Sequence, residues 1–391
     1  MKIREIRTRV VRWKGETVPL PLHFCTNPMD GLELEASSMS TFTFHEWLIV
    51  EIFTDEGLVG IGNAALSPRV TKQVIDIYLK PLLVGADPWN SELLWQRMYR
   101  RTMAFGRKGT AMAAISAVDI AVWDLLAKSA RQPVFRLLGG RTKRRIPVYA
   151  SRLYSRELNQ VAEEAGQYKR EGYRAMKLRF GWGPADGAAG MERNLELVRT
   201  VRETVGDEID VMADAYMGWT LDYAKHMLPR LEPFHLRWLE EPVIPDDIHG
   251  YRELKSYGRV PIAGGEHEFT SYGFRDLLEA RAVDYIQFDT NRVGGITQAR
   301  KIAAMAEAYS VPVIPHAGEM HNYHIVMASL NSPMAEYFPV TEVEVGNELF
   351  WYIFSGEPKA KDGSIDLDDD LPGLGLTINE KSLEEKFEVI E

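Results

Sequence analysis

The chain is short of several things, and each shortage removes a class of protein. It holds one cysteine, Cys25, in 391 residues. One thiol makes no internal disulfide and no thiolate metal site, which fits a reducing, cytoplasmic setting. No run of Lys and Arg is long enough to follow a phosphate backbone. Arg141–Arg145 (RTKRR) is basic but short, and the net charge is −10. Nucleic acid is therefore not an expected partner. No stretch approaches the ~18 consecutive apolar residues of a membrane span, so none is expected. Met1–Arg12 alternates charged and apolar residues and lacks the apolar core of a signal peptide. Several catalytic signatures are missing too: GxxxxGK[ST], GxGxxG after a strand, a Ser nucleophile elbow, and HExxH. Phosphoryl transfer, serine hydrolysis and zinc hydrolysis lose their usual supports.

What is present is ordinary in amount and regular in order. Hydrophobic residues make up 45% and charged residues 26%. The length suits a barrel of about 250 residues plus a second domain. Residues 3–12 alternate and read as a strand. Residues 14–45 are punctuated by Pro, Gly and Ser and read as a long loop, a length that is usually functional in a compact protein. His23, Phe24 and Met29 within it argue against plain disorder. Trp47–Phe53, the turn Asp55-Glu56-Gly57 and Leu58–Ala64 read as a hairpin. Helical stretches follow near 70–83, 90–103 and 109–129. The last is apolar nearly all round and should lie between layers.

From residue 146 the pattern becomes strand, helix, strand, helix. Candidate strands are 146–150, 174–178, 209–213, 236–239, 261–264, 284–288, 311–315 and 335–338. Helix-length segments separate them, among them 191–205, 221–231, 272–281, 296–309 and 321–331. Eight such strands predict an α/β fold: a modified TIM barrel, (β/α)8 or a variant with the last unit irregular. The expected organisation is an α+β capping domain over 1–135, with 14–45 as its specificity loop. The barrel follows over 136–340. A tail, 341–391, should pack back on the first domain.

Polar residues end these strands at one interval. Asp214, Glu240 and Glu266 stand 26 residues apart, each closing a short apolar run. In a parallel barrel, neighbouring strand ends lie side by side on one face. Three carboxylates there would repel one another unless a hard dication such as Mg²⁺ sat between them. Lys177 and Arg179 share a face at the end of the second strand. Lys177 can serve there as a general base or as an anion binder. Asp289 and His316 end adjacent strands, so an Asp that orients an imidazole base is geometrically natural. Glu336, if protonated, can donate a hydrogen bond to an oxyanion. His267 and Trp182 are further candidates for substrate contact. A dication flanked by Lys and a His–Asp pair suits removal of a proton α to a carboxylate.

This constellation resembles the enolase superfamily, mandelate racemase subgroup. Within it, Gly181-Trp182-Gly183-Pro184-Ala185-Asp186-Gly187, Gly265-Glu266-His267, Gly294-Gly295-Ile296-Thr297 and Asn27-Pro28-Met29 resemble acid-sugar dehydratases of the L-rhamnonate dehydratase type. The resemblance implies Mg²⁺ on Asp214, Glu240 and Glu266. It implies His316 as base, oriented by Asp289, and as the acid that expels the 3-hydroxyl. Glu336 would bond the carboxylate or enediolate, and His23 of the first-domain loop would touch the substrate. It also implies a small sugar-acid substrate and a homo-oligomer. Racemases of the subgroup usually carry Lys-x-Lys where this chain has Lys177-Leu178-Arg179. Arginine is a poor base, which favours one-sided chemistry through His316. A guanidinium also suits a second carboxylate, which keeps open a diacid such as a galactarate or tartrate isomer. Racemisation or epimerisation of a hydroxy acid is the other alternative.

Overall fold

The computed structural model describes residues 1–33, 43–339 and 342–390. The stretch 34–42 of the expected specificity loop lies outside the described residues. The first layer is a sheet built from β1 (Ile3–Trp13), β2 (Glu46–Thr54) and β3 (Val59–Ala64). A strand from the far end of the chain, Phe387–Ile390, pairs antiparallel with β1 and completes that sheet. β2 is buried on both faces, which its near-continuous apolar run requires.

One of those faces is covered by the helix Thr110–Ser129, whose side chains are buried from Ala111 to Ala127. Its alanines let it sit almost on the backbone of β3. A Cβ on Gly62 would lie 2.0 Å from the Ala117 carbonyl oxygen, and one on Gly60 2.1 Å from that of Ala121. Only glycine allows that approach. By length and composition this helix could cross a bilayer, contrary to the expectation that no stretch comes near. It is instead 94% buried between the capping sheet and the barrel. The helix also carries the docking contact to the barrel. Asp119 accepts from the Thr297 backbone N–H at 2.8 Å and from its hydroxyl at 2.6 Å. Gly294 and Gly295, both at positive φ, bring that segment close enough.

The barrel strands are β4 (Ile146–Leu153), β5 (Ala175–Arg179), β6 (Asp210–Asp214), β7 (Leu239–Glu240), β8 (Ile262–Gly264), β9 (Tyr285–Ile286) and β10 (Ala335–Tyr337). They pair in parallel in the order β10-β4-β5-β6-β7-β8-β9. The expected strand 311–315 is no regular strand. It meets β9 at the isolated bridge Ile286↔Val313, and a second bridge, Asp289↔His316, follows just beyond both segments. Pro312 and Pro315 remove two N–H donors from that ladder, which is reason enough. The irregular unit is thus the seventh. Seven strand–helix units and a closing β10 make the architecture (β/α)7β. After β10 the chain lays a short strand, Ser364–Ile365, antiparallel against β4 and then returns to the capping sheet.

Candidate active site

Register sets the floor of the site. Arg179 pairs with Asp214 across β5–β6, and Asp214 pairs with Glu240 across β6–β7. The strand ends therefore present these residues at one height, as the 26-residue interval implied. Asp214, Glu240 and Glu266 are 1%, 0% and 2% exposed. So much buried negative charge needs cations; Lys177 and Arg179 supply them to Glu240 and Asp214, and Arg292 to Glu266. The Lys177 ammonium contacts Glu240 and lies 3.1 Å from Glu336 Oε1 and 3.8 Å from Asp214 Oδ2. Arg179 donates to Asp214. Burial works to lower the pKa of Lys177, but Glu240, Glu336 and Asp214 outweigh it and hold it above the ordinary lysine value. In this arrangement Lys177 is a fixed cation.

Compensation is incomplete at Glu240. Its Oε2 accepts from Trp238 Nε1 at 2.9 Å and from Gln287 Nε2 at 2.6 Å. Burial raises its pKa to about 7; Lys177 opposes the rise, while Asp214, Glu336 and Glu266 add to it. A buried all-oxygen donor set with unbalanced negative charge is what a hard dication fits. Among the described residues, the acidic and imidazole ligand atoms that already converge within 4.8 Å belong to Glu241, Glu266 and His267. Asp214 and Glu240 are turned instead toward Arg179 and Lys177.

The bridge between Asp289 and His316 brings the expected pair together. His316 Nδ1 lies 2.9 Å from Asp289 Oδ2, so this nitrogen donates and Nε2 is left facing the site, 3.4 Å from Glu266 Oε1. Burial lowers the His316 pKa, but Glu266 and the Asp289 hydrogen bond raise it further, to about 9. Asn322 Nδ2 donates to the His316 carbonyl at 2.7 Å and steadies the backbone.

Glu336 departs from the expectation of a protonated donor. Burial pushes its pKa up, but Lys177, His316 and Arg179 hold it down at about 2. It is a carboxylate, and its Oε2 accepts from the Ala317 N–H at 2.8 Å. His267 is near the floor: its Nδ1 donates to Glu241 Oε2 at 2.7 Å, and its Nε2 accepts from Arg292 Nη1 at 3.2 Å. Arg292 itself reaches both halves of the site, 3.2 Å from Glu266 Oε1 and 3.0 Å from Asp289 Oδ2. Sequence reasoning passed over Arg292 and Glu241. Each follows a residue it did select, Arg292 one helical turn after Asp289 and Glu241 directly after Glu240, and that adjacency was the available signal.

Above the floor is a narrow, partly open pocket. Glu266, Arg292, His316, Arg179 and Tyr216 give it an ionic and polar part; Phe24, Cys25, Phe44, Tyr154, Val345 and Asn347 complete the lining. His23 and Trp182 are not in its lining. They stack on each other, ring centroids 5.8 Å apart and planes at 21°, where the capping segment meets the loop after β5. On the far side of His316 a second pocket reaches Glu319. There Asn63 of the capping sheet donates to Glu319 Oε2 at 2.8 Å, tying that sheet to the segment after His316.

Fold and floor define a class: a two-domain barrel enzyme with buried carboxylates and an Asp-held imidazole at the strand ends. Residues 160–382 match the family described as enolase C-terminal domain-like, and residues 30–139 match the mandelate racemase / muconate lactonizing enzyme N-terminal domain. The chain belongs to this enolase-like, mandelate racemase / muconate lactonizing enzyme family. It is 36% identical to the L-rhamnonate dehydratase of Saccharopolyspora erythraea, an alignment covering 97% of each chain. The rhamnonate dehydratase of Gibberella zeae complexed with Mg superposes with a TM-score of 0.84, at 32% identity, over 98% of this chain and 96% of that one. The 3,6-anhydro-D-galactonate cycloisomerase of Zobellia galactanivorans superposes with a TM-score of 0.84 at 30% identity, over 99% and 100%.

Proposed function

We propose that the protein is a Mg²⁺-dependent acid-sugar dehydratase that converts an L-rhamnonate-like aldonate into a 2-keto-3-deoxy acid. The observation that carries this reading is the Asp289–His316 pair, 2.9 Å apart, with Nε2 aimed at a buried carboxylate cluster. Asp214, Glu240 and Glu266 would hold the metal. Bound there, a dication supplies positive charge to the enediolate oxygens and offsets the carboxylates that keep His316 protonated. His316 Nε2 takes the proton from the carbon next to the carboxylate. The C–H electron pair moves into the enediolate, then out to the 3-position, where the C–O bond breaks. The proton now on Nε2 goes to the departing hydroxyl, which leaves as water, and the remaining enol ketonises. Asp289 keeps the imidazole in the one tautomer this shuttle needs. Lys177 stays charged throughout and faces the developing oxyanion. Arg179 is permanently protonated, so no second base stands opposite His316 among these strand ends, which supports elimination over racemisation.

A panel of aldonic and aldaric acids with Mg²⁺ and a keto-acid readout tests this. Turnover of a rhamnonate-like member, abolished by chelator, is the expected result. Deuterium uptake from D₂O with no loss of water would replace the reading by epimerisation.

A further inference from the structure

Two pockets meet at His316. The one above the floor and the one reaching Glu319 share Phe44, Arg292, His316 and Asn347, so the imidazole stands between them. Asp289, Asn291, Glu319 and Asn347 give the second pocket its hydrogen-bonding groups, and its open space is water-sized. Around Glu319 the buried groups are short of partners. Its Oε2 accepts from Asn63 Nδ2 at 2.8 Å and its Oε1 from Asn291 Nδ2 at 3.4 Å, while His321 Nδ1 lies 3.7 Å from Oε2. Each of these three neighbours keeps its other polar atom buried with no hydrogen-bond partner among the described residues: Asn63 Oδ1, Asn291 Oδ1 and His321 Nε2. Three orphaned polar atoms about one carboxyl mark a place made for water, which satisfies such groups. Both kinds of partner are there. Asn291 Oδ1 accepts. Burial pushes the Glu319 carboxyl up to about 8, and Asp289 adds to the rise, so near neutral pH it carries a proton to donate. A carboxylate would meet Asp289 there, and the guanidinium in the lining, Arg292, is already paired with Glu266 and Asp289.

The dehydration proposed above makes a water beside His316. When the 3-hydroxyl departs, the C–O bond breaks with its electron pair on oxygen, and the Nε2 proton joins that oxygen. Nδ1 stays tied to Asp289 at 2.9 Å, so the ring does not turn to carry the water away. The enol still occupies the pocket above the floor, and the other space bordering the ring is the Glu319 pocket. We propose that this second pocket is a station for the leaving group: the water passes round His316 into it, where Asn291 Oδ1 accepts from it and Asn347 and Glu319 complete its bonds. Asn291 thus serves the reaction twice, since its backbone N–H also donates to Asp289 Oδ1 at 2.7 Å and steadies the partner of the base. Elimination is drawn forward because the water is taken away from the carbon it left. This rests on the acid-sugar dehydratase reading and adds to it the path of the second product.

Two measurements test it. A crystal structure of the Mg²⁺-loaded protein should show an ordered water in the pocket, within hydrogen-bond distance of Asn291 Oδ1. A pocket without water, or one filled by a sugar hydroxyl when L-rhamnonate is soaked in, overturns the proposal. The second measurement is turnover in D₂O of L-rhamnonate, or of whichever acid of the panel reacts. Asn291→Leu, close in size, keeps the backbone N–H that bonds Asp289 and removes the acceptor. Its keto-acid production should fall about 3- to 10-fold, the worth of one hydrogen bond. Deuterium at the carbon next to the carboxylate of the recovered acid should rise relative to product, because the proton still leaves while the water does not. Asn347→Leu should shift the same ratio, and it decides the matter if Asn291→Leu melts well below the wild type. A purely structural role would lower exchange and elimination together. That result, or a ratio unmoved in both variants, removes the water station and leaves the dehydratase reading standing. No keto acid from any member of the panel removes both.

Discussion

The floor and the wall of the cavity are built on opposite plans. The floor is charged and periodic. Its residues end successive strands, and parallel pairing places Arg179 beside Asp214 and Asp214 beside Glu240. The wall is mostly apolar and aperiodic, assembled from residues near 24, 154 and 345 that share no repeat. On the floor each side chain is held by other charges, so one substitution is felt by its neighbours. On the wall each side chain contributes area and shape, so a substitution should alter which substrate is preferred and leave the chemistry intact. A barrel can therefore keep one reaction while its cap changes the substrate.

Three experiments press on that contrast, taken from the largest effect down. His316→Asn should lower kcat by about 10²–10⁴-fold, the usual worth of a positioned acid–base group, with KM little changed. A loss under tenfold would mean that the floor does not hold the base. The second concerns pH. His316 has a folded pKa raised from 6.5 to about 9, so its stabilisation is fully present below pH 6.5 and is lost as pH rises through 9. With chelator present, the wild-type protein should lose about 3 kcal/mol across that window, and His316→Asn should lose clearly less. Parallel melting curves for the two proteins would refute the ionic coupling at the floor. Glu240, raised to about 7, acts at lower pH, its contribution falling as pH climbs from about 4.5 to 7, so the two windows can be separated. The third concerns the joint between the halves. Asp119→Ala leaves the Thr297 N–H and hydroxyl without their acceptor in a buried interface and should cost about 1–3 kcal/mol of stability. With substrate saturating, kcat should be nearly unchanged; a large fall in kcat would mean that the joint also shapes the floor.

The floor was legible because a barrel converts sequence interval into position. Asp214, Glu240, Glu266, Asp289 and His316 announced themselves as polar residues closing apolar runs. Arg292 and Glu241 were missed because they lie just past those runs, where a polar residue usually signals only a loop or a helix start. The charge state of Glu336 was not legible either, since it depends on an ammonium 3.1 Å away that belongs to another strand. His23 and Trp182 were chosen for residue type and motif; where they meet depends on how the cap settles on the barrel.

The sequence by itself determined the barrel, its sheet-and-helix cap and the height of the strand-end residues, because hydrophobic period and strand register are local properties that repeat. Tertiary structure alone decided which charges neutralise one another and what lines the cavity across from the floor. Those depend on Coulomb interactions and packing between side chains of different strands and loops, such as Lys177 with Glu240 and Glu336, and such contacts leave no periodic trace in the chain.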